Sequence, residues 1–183
     1  MRLFSSFRDD RALLRKSAEF AAMLMAEPSP AEVEWLSSVA TRGDVDHARW
    51  ELRYLRRAVG ILVAQRDALD DRTPSEVLRA LVHRMQKDPN VDPSLRELAE
   101  RQFNARLGAY RDAFTSRGHG TAALRLAQNL LAFAGGPIRG DDPVVQRGGE
   151  MVSETIAAVN DVLRDSFGVV ELPEDVSPSR LAR

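Results

Sequence analysis

The residues of this chain best suited to chemistry are a run of arginines interleaved with aromatic rings, Arg49-Trp50-Glu51-Leu52-Arg53-Tyr54-Leu55-Arg56-Arg57. Arg49, Arg53 and Arg56 stand at i, i+4 and i+7 and share one helix face. Trp50 and Tyr54 flank that face. Cations beside stacking rings suit phosphate backbones, bases or an acidic protein partner. The same arginines can instead be half-buried and paired with carboxylates on other helices, for which Glu32, Glu34 and Asp67 are the acids considered. Two features favour pairing. Glu51 sits inside the cluster, and the surrounding helix carries two apolar stripes, which leaves little of it free to face solvent.

Metal chemistry has one weak candidate, His47 with Glu51, four apart and on one helix face, next to Asp44 and Asp46. The simpler expectation is that Asp44 caps the helix, Asp46 complements its dipole, and His47–Glu51 is a surface pair. A di-iron bundle needs Glu-x-x-His on two helices, and the sequence has none. His83 and His119 are isolated. There is no phosphate-binding loop of the Gly-x-x-x-x-Gly-Lys type, no Gly-x-Gly-x-x-Gly after a strand, and no Gly-x-Ser-x-Gly elbow. Gly118-His119-Gly120-Thr121 precedes a helix start but reads as a connection. Asp9-Asp10, Asp70-Asp71 and Asp141-Asp142 are doublets outside any metal motif. With Cys 0, disulfides, thiolate catalysis, zinc-thiolate sites and iron–sulfur clusters are excluded. No cofactor is expected.

The elements that must position these groups read as helices. Ser29-Pro30-Ala31-Glu32 and Thr73-Pro74-Ser75-Glu76 are capping boxes with proline in the first turn, and Asp92-Pro93 and Asp142-Pro143 are cap-plus-proline starts. Apolar spacing predicts helices over 8–26, 30–41, 45–69, 74–87, 93–116, 121–134 and 143–167. The third carries two stripes. One is Val45, Ala48, Leu52, Leu55, Val59, Leu62 and Leu69, broken at Arg66; the other is Trp50, Tyr54, Ile61, Ala64 and Ala68. It is therefore expected to be the central helix, with Gly60 against a neighbouring backbone. Gly148-Gly149 either delays the last helix to about Glu150 or permits close packing. The expectation is an all-α bundle of six or seven helices in one domain, 1–168, with an irregular tail, 169–183. That tail is expected either to dock through Val169, Val170 and Leu172 or to hold a short strand pair near Val169–Leu172.

Charge bounds the partners. Lys+Arg is 26 against Asp+Glu 27, net −1, so no global basic field draws the chain to nucleic acid or anionic lipid. The first residues make a poor signal peptide, and the apolar run Ala58–Ala64 is far short of the ~20 residues that span a bilayer. A cytoplasmic protein without membrane contact is expected. The turn Thr41-Arg42-Gly43-Asp44 has the form a helix-turn-helix requires, but a recognition helix is short and polar outside, and 45–69 is long and apolar on two sides.

The leading functional expectation is a non-enzymatic helical interaction or regulatory protein whose partner is a protein, a second copy of itself included. The first alternative is a small-ligand binder or enzyme with an inter-helix pocket of Trp50, Tyr54, Phe103, Tyr110 and Arg53. The second is a nucleic-acid-binding regulator using Arg49, Arg53, Arg56 and Arg57.

Overall fold

Capping chemistry sets where most of the helices begin. In a computed structural model, residues 2–117 and 120–168 are described, with side chains from residue 10 onward. The helices are α1 (Arg2–Leu24), α2 (Pro30–Val39), α3 (Val45–Asp67), α4 (Arg72–Gln86), α5 (Arg96–Thr115), α6 (Ala122–Ala134) and α7 (Pro143–Phe167), with a 3-10 turn at Pro93–Leu95 leading into α5. No strand occurs among the described residues, and none of their helices is long and apolar enough to cross a membrane. The expected tail, 169–183, and His119 lie outside the described residues.

At α2 the box closes as expected: Glu32 N–H donates to Ser29 Oγ at 3.2 Å, and Ser29 N–H donates to the Glu32 carboxylate at 2.8 Å. Asp44, Thr121 and Asp142 cap α3, α6 and α7 through their side chains. The box expected at Thr73–Glu76 does not form. Asp70 does its work instead, accepting from the Arg72 and Thr73 N–H groups at 2.8 and 2.7 Å and from the Thr73 hydroxyl at 3.1 Å. The helix thereby starts at Arg72, and Glu76 is left to pair with Arg79.

Helix α3 is the hub: it packs against each of the other six helices. Leu52, Leu55, Val59 and Leu62 are buried, as are Tyr54, Ile61 and Ala64 of the second stripe, while Val45 and Leu69 at the stripe's ends are exposed. Around it α1 lies along α4, and α6 along α7. The Gly148-Gly149 pair sits inside α7 without delaying it. A Cβ at Gly148 would lie 3.3 Å from the Ala127 methyl, and one at Gly149 would lie 3.2 Å from Leu124. The two glycines are what lets α6 and α7 approach.

Gly60 serves α3 in the same way, although its neighbour is a side chain and not the expected backbone. A Cβ there would fall 2.3 Å from both methyls of Leu24, which is itself fully buried. Gly to Ala in a helix ordinarily stabilises by about 1 kcal/mol. Here Leu24 has nowhere to go, so Gly60→Ala is expected to destabilise by about 1–3 kcal/mol through overpacking. A urea melt checks the sign, and a raised midpoint contradicts the packing.

Candidate functional site

Most of the arginine-rich segment of α3 faces inward, and each of its arginines donates to an acceptor in the protein. Arg53 is bidentate to Glu27 in the α1–α2 connection, with Nη2 at 2.6 Å and Nε at 3.1 Å, and its guanidinium stacks 4.5 Å from the Trp50 ring centre. Arg56 donates to the Ala26 and Glu27 carbonyls at 3.3 and 3.2 Å, just past the end of α1. Arg57 reaches Asp88, in the α4–α5 connection, at 2.9 Å, and both partners are almost fully buried. Arg49 pairs with Asp46 of its own first turn at the surface. The partners differ from the acids that the sequence suggested. Neither Glu32 nor Glu34 takes an arginine of the cluster, and Asp67 is held by Arg66.

Glu51 is the further surprise. It is 1% exposed, so His47–Glu51 is not a surface pair. Its carboxylate is bidentate to Arg106 of α5, with Arg106 Nε at 2.7 Å, and Arg106 also donates to the Gln102 carbonyl at 3.1 Å. The Arg106 guanidinium lies between the Tyr54 and Phe133 rings, 4.9 and 4.8 Å from their centres. His47 Nε2 stands 3.3 Å from the same carboxylate. The Glu51 oxygens are thus engaged, and among the described residues no three His, Cys, Asp or Glu side chains converge as a metal set.

Beside the paired cations lies a largely apolar groove, whose lining also includes Gln86, Arg96, Glu100 and Asn104. Helices α4 and α5 both rest on α3 and scarcely on one another. Between them Trp50, Tyr54 and Arg57 of α3 form a floor, Leu78, Val82 and Met85 of α4 one wall, and Ala99, Phe103 and Leu107 of α5 the other, with Val91 at the connecting end. Each triplet follows helical spacing. The floor aromatics are contiguous, Trp50 to Tyr54 at 5.6 Å and Tyr54 to Phe103 at 6.1 Å between centres. Beyond Trp50 the depression continues along His47, Asn90, Asp92, Leu95, Leu98 and Gln102, whose side-chain oxygen accepts from the Tyr54 hydroxyl at 3.2 Å. Leu78, Val82, Leu95 and Leu98 are 36%, 37%, 52% and 44% exposed.

The pocket expected from Trp50, Tyr54, Phe103, Tyr110 and Arg53 is therefore assembled in part. The first three meet in the groove. Tyr110 is fully buried against Phe133, with their ring centres 6.0 Å apart, and Arg53 is tied to Glu27. The α4 wall and Arg57's place in the floor are additions. No family model matches the chain, and no curated protein or solved structure matches it either.

Titration follows from the pairing. Burial pushes the Asp88 carboxyl up, but the Asn90 N–H at 3.0 Å, the Arg57 guanidinium and the Asn90 amide at 3.1 Å outweigh it and hold Asp88 below the usual carboxylate range. The Thr73 N–H does the same for Asp70, against a smaller opposing effect of burial. A depressed folded-state pKa gives stability that is present above the unfolded value and lost as pH falls. Unfolding free energy is expected to drop as pH falls below about 4, and Asp88→Asn is expected to flatten that limb in pH-dependent urea melts.

Removing Arg106 strands a buried carboxylate, so Arg106→Ala is expected to cost about 3–5 kcal/mol. Arg49→Ala breaks only an exposed pair and is expected to stay within about 0.5 kcal/mol of wild type. Arg53→Ala falls between, because Glu27 is 53% exposed and is resolvated when its partner leaves. Equal losses for Arg106→Ala and Arg49→Ala in urea melts contradict this ordering.

Proposed function

We propose that the protein is a non-enzymatic, cytoplasmic interaction protein that docks an apolar helix face of a partner protein in the α4–α5 groove, a second copy of the chain being one partner it can take. The observation that carries this reading is the clustering of exposed large hydrophobics. Four of them, Leu78, Val82, Leu95 and Leu98, border one groove that has Trp50 in its floor. Single exposed leucines are ordinary, but a contiguous apolar surface rimmed by charge marks an interaction site. Walls spaced at helical intervals suit a helix laid between them. The nucleic-acid alternative has less to support it: Arg53, Arg56 and Arg57 are engaged with Glu27, two carbonyls and Asp88, and Arg49 alone pairs at the surface, with Asp46. Nor does α3 suit a recognition helix, since it is interior along most of its length.

The test is photocrosslinking in cells that express the protein. A benzophenone amino acid is placed at Leu78 or Leu95, with the exposed Ala157 of α7 as the control. The groove positions are expected to give a discrete adduct, at twice the chain's mass if the partner is a second copy. No discrete adduct from the groove, or an equal one from Ala157, overturns the reading.

A further inference from the structure

The groove is apolar along its floor and basic along its edges. Ser75, Arg79, Val82 and Gln86 stand at helical spacing, and Val82 and Gln86 line the groove. Arg79 therefore lies on the α4 edge one turn before Val82, and Arg72 two turns before Arg79. On the other edge Arg96, Glu100, Asn104 and Leu107 line the groove, and Arg111 continues that row one turn past Leu107. The acids in these rows are Glu100 and Glu76, and Glu76 is paired with Arg79. Arg72 is paired with Asp10. Both arginines are largely exposed, and such surface pairs are weak enough to be exchanged. The neutral polar side chains of the lining are amides, Gln86 and Asn104, each of which donates and accepts. The walls suit a helix face, but the basic edges and the amides also suit an extended segment that is acidic and apolar and whose backbone groups are free to pair.

The chain carries such a segment after α7. At Gly168 a Cβ would lie 3.6 Å from Leu69, which sits in the α3–α4 connection and is 44% exposed. The groove opens at this same end of α3. There α4 starts at Arg72 and α5 ends, with the Arg66 guanidinium 4.9 Å from the centre of the Phe114 ring. Residues 169–176 hold Glu171, Glu174 and Asp175 among valines and a leucine, with no base. Pro173 and Pro178 oppose a helix. Reach is ample: residues 169–183, fully extended, span about 50 Å, while α3 from Asp67 back to Trp50 is about 26 Å long.

We infer that residues 169–183 of the same chain lie in the α4–α5 groove and compete there with the partner. Glu174 and Asp175 meet Arg79 and Arg111 at the open end. Val176 and Leu181 pack toward Phe103 and Trp50, Gln86 and Asn104 pair with the backbone between them, and Arg180 follows toward Glu100. The inference rests on the docking reading above and adds how that surface is regulated: the partner must displace the chain's own acidic segment.

The chain has no cysteine, so Ser179→Cys places a single nitroxide on the full chain labelled with nitrogen-15. The two tryptophans report separately, Trp50 from the groove floor and Trp35 from beside Gly148. The Trp50 indole N–H cross-peak is expected to lose about half its intensity or more relative to the reduced nitroxide, and the Trp35 cross-peak to keep its own. Reversing the charges with Glu174→Arg and Asp175→Arg is expected to restore the Trp50 signal and to raise the photocrosslinked adduct from Leu78 about threefold. Equal losses at the two tryptophans, or none at Trp50, overturn the inference. So does a loss at Trp50 when the nitroxide is carried only by chains without nitrogen-15 mixed with labelled chains, since the segment then comes from a second copy. An adduct unchanged by the charge reversal overturns the competition. If neither chain gives an adduct, the docking reading fails, and the Trp50 signal still decides where residues 169–183 lie.

Discussion

Glu51, Arg53 and Arg57 lie within two turns of one another on α3 and are all buried. A charge taken out of water costs several kcal/mol unless a partner meets it inside. The partners come from three separate places: Arg106 on α5, Glu27 in the α1–α2 connection and Asp88 in the α4–α5 connection. Meeting this requirement sets where each of those segments sits on α3. The apolar stripes supply most of the driving force, since area removed from water outweighs any single ion pair. Apolar contacts are tolerant of small shifts and rotations, however, and bidentate guanidinium–carboxylate geometry is not. Arg106, held between Tyr54 and Phe133 while both oxygens of Glu51 engage it, ties α5 to one register along α3.

The same pairing shapes the outer surface. Arg57 holds Asp88 in the segment after α4, and α4 and α5 both pack on α3. Leu78, Val82 and Leu95 are left open beside the Trp50–Tyr54–Phe103 floor. Arg53 and Arg57 of the suggested basic cluster are paired with Glu27 and Asp88, and the open surface beside them is a largely apolar groove. The electrostatics of the core thereby changes the kind of partner the surface fits.

What was legible in the sequence was local. Side-chain caps such as Ser29, Asp44 and Asp142 act within three residues of themselves, so their spacing is enough to place α2, α3 and α7. The period of the α3 stripes likewise marked it as a central helix. Thr73 misled because Asp70, three residues earlier, offers a carboxylate to the same free N–H groups, and two adjacent caps compete. The ion pairs were illegible for a different reason. Glu27, Asp88 and Arg106 stand 26, 31 and 55 residues from their partners, and no local pattern marks which distant acid or base will arrive. Glu51 looked like a surface partner of His47 because i, i+4 spacing is all that sequence shows of it. The groove was half legible: Trp50, Tyr54 and Phe103 were identifiable as aromatics on helix faces. On α4, Val77 and Leu81 point to the core while Leu78 and Val82 point to the groove, and only packing distinguishes two adjacent apolar stripes of the same period.

The claim at the centre is that buried pairs on α3, and not apolar burial alone, hold the connecting segments in place. A double-mutant cycle across Arg57 and Asp88 measures this most directly, with Arg57→Met, Asp88→Leu and the pair compared by urea denaturation. Each single change strands one buried charge and the double strands none. The account predicts that either single variant loses more stability than the double, so that the coupling exceeds the larger single loss of about 3–5 kcal/mol. Losses that add, leaving the double variant the least stable of the three, would contradict it.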